Sequence, residues 1–197
     1  RHLAMIKAAN LPNSVPPCTF DNFNQVPGTE AAFLMAKAYA EDQHYRPILT
    51  LTGVPGCGKT HLLEAIGRRA LERGVGVRYA VGASLLDELR ASYDKKDDDG
   101  DSPFQAVFDR YDHAELLILD DPGAEKASAW AMEKLFTLVN NRCKDRRPLV
   151  VATNLSFQAM RDHLGPRTAD RIWDSGSGLA ATATITAQSY RTAQLGR

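Results

Sequence analysis

The stretch Ile48-Leu49-Thr50-Leu51-Thr52-Gly53-Val54-Pro55-Gly56-Cys57-Gly58-Lys59-Thr60 decides how the rest of the chain is read. Ile48–Thr52 is a short apolar, β-branched run that suits a buried strand. Gly53–Thr60 satisfies GxxxxGK[ST], and Gly58–Arg73 reads as a helix ended by Gly74. The chemistry accounts for each position. Glycines let the backbone curl so that successive N–H groups point at phosphate oxygens, and the helix behind them offers its positive N-terminus. Lys59 would reach the β- and γ-phosphates, and the Thr60 hydroxyl is placed to ligate Mg²⁺. An ordinary loop rich in glycine needs neither a strand before it nor a helix after it, and this match has both. The expectation is a nucleoside triphosphate site built from Gly53, Val54, Pro55, Gly56, Cys57, Gly58, Lys59 and Thr60, with His61 next in line. Cys57 admits two readings. A thiol at a helix N-terminus acidifies and could be redox-active, or it is a small residue filling a loop position.

Outward from this loop, Leu116-Leu117-Ile118-Leu119 is a second buried run, and Asp120-Asp121 follows at its carboxyl end. If the two strands are neighbours, the acidic pair stands beside the phosphate loop. Asp120 would hold Mg²⁺ through water. Asp121 occupies the place where many NTPases of this type carry a glutamate that polarises the attacking water, and it is shorter by a methylene. Val150–Thr153 ends in Asn154, whose carboxamide could hold the γ-phosphate or the water, or merely form a turn.

The remaining segments alternate in kind. Helical periodicity predicts helices over Gly28–His44, Ser84–Tyr93, Pro103–Tyr111, Ser128–Arg142, Ser156–Leu164 and Pro166–Trp173. Strands are predicted over Val75–Val81, Pro148–Thr153 and Leu179–Ala187. Residues 1–18 hold Pro12, Pro16 and Pro17 and read as an extended lead-in, and the start at Arg1 suggests a processed chain, a fragment or an expression leftover around Arg1–Ala4. The acidic run Asp94–Ser102 reads as a mobile surface loop. Strands and helices in regular turn mean a parallel α/β sheet with helices on both faces.

Composition narrows the class. The 197 residues carry 24 Lys+Arg against 24 Asp+Glu, a formal net charge of zero that removes the broad basic field of a duplex-binding domain. Hydrophobic residues at 44% and charged residues at 24% are globular proportions, which excludes wholesale disorder. Cys18, Cys57 and Cys143 are widely spaced and odd in number, so they fit neither a disulfide framework nor a zinc site. No apolar run is long enough to span a membrane, and the chain reads as soluble and cytoplasmic, with no membrane partner.

These motifs occur in a recognisable order: Thr19-Phe20-Asp21-Asn22-Phe23, the phosphate loop with His61-Leu62, and Leu-Asp-Asp followed by Gly123-Ala124-Glu125, Ser128 and Trp130. Ala152-Thr153-Asn154, Leu164-Gly165-Pro166-Arg167-Thr168-Ala169-Asp170-Arg171-Ile172 and Ser189-Tyr190-Arg191 complete the series. The chain resembles the DnaC/DnaI helicase loaders, AAA+ ATPases of bacterial and phage replication, and more loosely the IstB transposition ATPases, over about Thr19 to Arg191. The resemblance implies a three-layer P-loop NTPase of the AAA+ type with a parallel five-stranded sheet in the order 5-1-4-3-2 and no C-terminal lid. It divides the chain into a lead-in at 1–18, an ATPase domain at 19–191 with a helical insertion at 84–111, and a tail at 192–197. Typical loaders carry a separate N-terminal helicase-binding domain, so the short lead-in implies either a truncated chain or an unusual partner contact.

By position, the resemblance assigns Asn154 to sensor 1 and Arg171 to an arginine finger acting on a neighbour's γ-phosphate, with Arg167 four residues earlier on the same helix face. Both arginines could instead be exposed helix charges. Phe20 and Phe23 are candidates to cover the adenine, or ordinary core residues. Tyr93, Ser128 and Trp130 match positions that face single-stranded DNA, and the alternative for the two aromatics is half-buried packing. The implied cofactors are ATP and Mg²⁺. The implied partners are a hexameric replicative helicase, single-stranded DNA and further copies of the chain, joined through the ATP site and Arg171. Rival readings are an IstB-like transposition ATPase, a small-molecule kinase, and a nucleotide-gated assembly module without useful hydrolysis.

Overall fold

The computed structural model describes residues 2–42, 47–93, 103–123, 128–173 and 178–190. Five strands form a single parallel sheet: β1 (Ile48–Gly53), β2 (Val77–Val81), β3 (Leu116–Asp120), β4 (Leu149–Thr153) and β5 (Ala180–Ile185). Their order is β2-β3-β4-β1-β5, the expected 5-1-4-3-2 read from the other edge. β1 is therefore flanked on both sides, paired with β4 on one and β5 on the other. Strands covered on both faces can be apolar at every position, which is why these read as continuous runs rather than alternating ones. Period-2 geometry then divides each run between two cores. Leu116, Ile118, Val150 and Ala152 face one cluster, while Leu117, Leu119, Leu149 and Val151 face the other.

Helices α1 (His2–Ala9), α2 (Glu30–Glu41) and α3 (Lys59–Glu72) cover the first face. The second is covered by α4 (Gly82–Tyr93), α5 (Pro103–Asp112), α6 (Ala129–Lys144), α7 (Phe157–Leu164) and α8 (Pro166–Trp173). The result is the three-layer α/β architecture expected. Local chemistry sets several helix ends. Ser128 caps α6 by accepting from the Ala131 N–H, and Ser156 caps α7 by accepting from the Ala159 N–H. Gly165, at φ 85°, turns the chain between α7 and α8.

One expectation needs correction. Residues 2–9 are not extended but form α1, with Ala9 fully buried and Met5 packed on the first core. Beyond α1, Leu11 lies against Gly67 of α3 so closely that a Cβ there would meet its Cδ2 at 2.6 Å. Glu64, also buried on α3, accepts from the Ser14 hydroxyl at 2.6 Å and the Cys18 N–H at 3.2 Å, and Arg68 pairs with it at 2.6 Å. The lead-in is thus fastened along the helix that begins at the phosphate loop. The predicted strand Val75–Val81 loses its first two residues, because the Gly76 N–H turns to the Glu115 carboxylate. The predicted helix end at His44 and the acidic run Asp94–Ser102 fall outside the described residues.

At the N-terminal edge of the sheet, Arg142 is a second ordering element. Its buried guanidinium donates to the carbonyls of Tyr111, Asp112, Ala114 and Pro148, tying the end of α5 to the approaches of β3 and β4. Burial pushes its pKa down to about 10, so it stays charged at neutral pH.

Candidate nucleotide site

The loop between β1 and α3, the end of β3 and the end of β4 meet at the carboxyl edge of the sheet, where parallel α/β folds place ligands. A cavity of about 420 Å³ opens there, lined among others by Gly56, Lys59, Thr60, Asp120, Asp121 and Asn154. Every one of these is expected from the sequence. Gly58 shows what the loop demands of its glycines. Its φ is 103°, and a Cβ would fall 2.9 Å from the ring of Phe23.

Lys59 is buried to 7% exposure, and its Nζ donates to the Gly53 and Val54 carbonyls at 2.7 and 2.9 Å. Neutral carbonyls partner this charge without neutralising it, which suits an anionic ligand. Cys57 is fully buried, its sulfur 3.7 Å from Lys59 Nζ and 2.8 Å from where a Gly53 Cβ would stand. It fills the loop interior, so the structure supports the packing reading over the redox one.

On the opposite wall, Thr60 Oγ1 donates to Asp120 Oδ2 at 2.9 Å, and the Tyr79 hydroxyl donates to the same oxygen at 2.6 Å. A hydroxyl and a carboxylate in contact form the hard-oxygen donor set that Mg²⁺ prefers, so the residues fit the ion. Asp121 sits at φ 50°, a left-handed conformation costing roughly 1–2 kcal/mol for a residue with a Cβ. Its N–H is held by the Ala152 carbonyl at 2.8 Å, and its Oδ2 accepts from Asn154 Nδ2 at 3.1 Å. Asp121 Oδ1 is buried without a hydrogen-bond partner, and the residue lines the cavity.

The residues flanking the loop are arranged less as expected. Phe23 does not line the cavity. Its ring is buried behind Gly58, stacked on Phe33 at 5.6 Å and edge-on to His61 at 5.1 Å. Phe20 also packs edge-on against Phe33, at 5.8 Å. His61 lines the cavity, and its Nε2 donates to the Thr19 carbonyl at 2.9 Å, tying the Thr19–Phe23 segment to α3. Tyr190 has no assigned role in the sequence reading. Here its N–H donates to the Gly56 carbonyl at 3.0 Å, its hydroxyl donates to the Asn24 carbonyl, and it lines the β5 side of the cavity. Sequence reasoning misses Tyr79 altogether. The available signal is a tyrosine in a core strand, whose hydroxyl needs a partner, but naming that partner requires the strand order.

Arg171 does not line the cavity of its own chain. It is exposed on α8, and its guanidinium and that of Arg167 each lie 5.9 Å from the ring of Phe136. Tyr93 is 62% exposed at the end of α4, edge-on to Phe104 at 5.9 Å, and Lys134 Nζ lies 5.6 Å from the Phe104 ring. Trp130 packs partly on the second core under Arg90, whose guanidinium is 5.4 Å from its ring. Ser128 is spent on capping α6. Residues 124–127, which include part of the Gly-Ala-Glu motif, lie outside the described residues.

The family model described as IstB-like ATP binding protein matches residues 1–195. The chain is 32% identical over 166 residues to the uncharacterized protein YdaV of Escherichia coli K12, covering 81% of this chain and 63% of that protein. It is 28% identical over 158 residues to the replicative helicase loader DnaC of the same strain, covering 79% and 62%. It therefore spans less than two thirds of the length of these curated relatives. Among solved structures, the DnaC helicase loader superposes with a TM-score of 0.74 at 20% identity, covering 86% of this chain and 97% of that one. The replication initiator DnaA bound to AMPPCP and single-stranded DNA gives 0.76 at 24% identity, covering 91% and 52%. At such identities these structures speak for the fold. Among the described residues, no helix is long and apolar enough to cross a membrane.

Proposed function

Since the chain belongs to the family of IstB-like ATP-binding proteins, we propose that it binds ATP with Mg²⁺, hydrolyses it slowly, and loads a replicative helicase onto single-stranded DNA. The observation that carries the nucleotide part is the juxtaposition of Lys59, buried among carbonyls, with the Thr60–Asp120 pair across one cavity. Loop N–H groups and Lys59 would hold the phosphates. Thr60 and Asp120 would hold the ion, Asp120 through water, and bound Mg²⁺ would neutralise charge developing on the phosphate oxygens. Asp121, which lines the cavity beside Asn154, would accept from the attacking water. Its side chain is one methylene shorter than glutamate, which is the reason for proposing slow turnover.

The helicase and DNA parts rest on the likeness to DnaC and on the Tyr93, Trp130, Arg90 and Lys134 surface. Aromatic faces beside cations suit unpaired bases. Arg171, exposed and away from its own site, is proposed to act on a neighbour's nucleotide when copies assemble. An IstB-like transposition ATPase would use the same core, and the family match favours keeping that reading in view. Affinity capture with the protein as bait separates the two: a replicative helicase in the eluate supports loading, and a transposase in its place overturns it. For the nucleotide site, calorimetric titration of Lys59→Ala should show ATP binding weakened by about a hundredfold, the scale of charge-assisted bonds to phosphate. Unchanged affinity would sink the assignment.

A further inference from the structure

We propose that Tyr79 is a positioning residue for the cation of this site, holding Asp120 in the orientation that receives hydrated Mg²⁺. The inference rests on the nucleotide reading above. The sheet register explains how the tyrosine arrives there. Tyr79 of β2 pairs with Ile118 of β3, so it shares a face with Ile118 and with Asp120, two residues further along. A long side chain reaches that diagonal position. The same face is the one α3 covers, and Thr60 comes down from the first turn of α3. Three residues from three elements thus meet at one carboxylate oxygen.

The chemistry of that meeting is specific. A carboxylate oxygen has two lone pairs, and the hydroxyls of Tyr79 and Thr60 occupy both on Oδ2. Oδ1 is therefore the oxygen left for the cation's water, and its direction is fixed because its twin is pinned. Thr60 can keep donating its proton to Oδ2 while a lone pair of its oxygen serves the ion, so that one hydroxyl would answer to two partners. Tyr79 has no such second duty. The residue is 5% exposed and packed in the first core, and its backbone carbonyl accepts from Asn10 Nδ2 at 3.4 Å, so the hydroxyl is presented from a fixed base.

The test is a MgCl₂ titration of the protein with a fluorescent ATP analogue, started in EDTA. Tyr79→Phe keeps the ring and removes only the donor. The Mg²⁺ concentration at half-maximal signal should rise about tenfold or more, the usual effect of losing a group that orients a metal ligand. Nucleotide affinity in EDTA and the melting temperature should stay near those of the parent. An unchanged Mg²⁺ midpoint would show Tyr79 to be a packing residue and overturn the proposal. An equal loss of affinity with and without Mg²⁺ would overturn it too, because the tyrosine would then be supporting the loop. The double variant covers a general loss of stability: in an Asp120→Asn background, Tyr79→Phe should move the Mg²⁺ midpoint no further, and an additive shift would defeat the coupling. If the parent shows no Mg²⁺ dependence, or Asp120→Asn alone leaves the midpoint in place, it is the site assignment that falls.

Discussion

Arg142 and Lys59 are both buried cations hydrogen-bonded to backbone carbonyls, and they stand at opposite edges of the same sheet. At the N-terminal edge, Arg142 spreads its donors over four carbonyls from two stretches of chain. At the carboxyl edge, Lys59 reaches only two, both in its own loop, and its amine lines an open cavity with two aspartates across it. A cation buried away from any cavity, with its two terminal nitrogens spent on its own chain's carbonyls, is a fastening. A cation left with capacity, facing open space and opposite charge, is a binding group. Arg171 adds a third condition, an exposed guanidinium 5.9 Å from the Phe136 ring and beside the Cys143 thiol. In the proposed assembly its partner would lie in another copy.

The largest expected effect belongs to this third cation. Arginine fingers supply about 10³–10⁵ in rate where NTPases use them. Arg171→Ala should therefore lower turnover by about a thousandfold or more under conditions that assemble the protein, with ATP affinity little changed. Steady-state hydrolysis measured across protein concentrations checks both points. If the variant keeps pace with the parent in the assembled state, Arg171 is a surface charge and the third condition disappears.

Next in size is Arg142. Arg142→Met keeps the aliphatic stem and leaves four carbonyls without their donor. At about 1 kcal/mol or more for each buried acceptor left unmade, the expected loss is roughly 4 kcal/mol of unfolding free energy. Urea denaturation followed by circular dichroism measures it, and a loss below about 1 kcal/mol would erase the contrast with Lys59, since single hydrogen bonds are worth that much. Lys59→Ala is the complementary case. Its ATP affinity should fall by about a hundredfold, the scale of charge-assisted bonds to phosphate, while its urea midpoint stays within experimental error of the parent.

The contrast between the two edges also explains what can be read before the fold is known. The phosphate loop, Asp120, Asp121 and Asn154 are legible because each motif is contiguous and ends a strand whose apolar run announces it. The strand order is implied only by resemblance, and the sheet bears it out. Arg142 and Tyr79 are invisible for a common reason. Each acts across elements far apart in sequence, Arg142 on Tyr111 and Tyr79 on Asp120. Neither has a local pattern that distinguishes it from any helix arginine or strand tyrosine. α1 escapes because eight residues are too few to form a stable helix alone. Its order comes from packing on α3 and β2, which the sequence does not display.

The smallest predicted effect concerns two further cations, Arg90 and Lys134, which lie over Trp130 and Phe104 beside the exposed Tyr93. Here charge and ring are already in contact, so the cluster could pass for surface packing that happens to hold two positive charges. The geometry argues for more in the case of Tyr93, whose ring is mostly in solvent and gains little from its edge contact with Phe104. Trp130 is the harder case, because it also packs on the core, and replacing it risks the fold as well as the surface. Base stacking on an aromatic is worth about 1–3 kcal/mol, which corresponds to roughly tenfold or more in affinity per ring. Zero net charge leaves little counterion release to mask that contribution. Fluorescence anisotropy of a labelled single-stranded oligonucleotide, with a non-hydrolysable ATP analogue present, should show weak binding that falls about tenfold in Tyr93→Ala. Trp130→Ala should match it, and Trp130→Phe should recover most of the loss if stacking rather than folding is the cause. Binding that is the same with and without nucleotide, and indifferent to both alanines, would make this a surface packed for stability alone and remove the DNA reading.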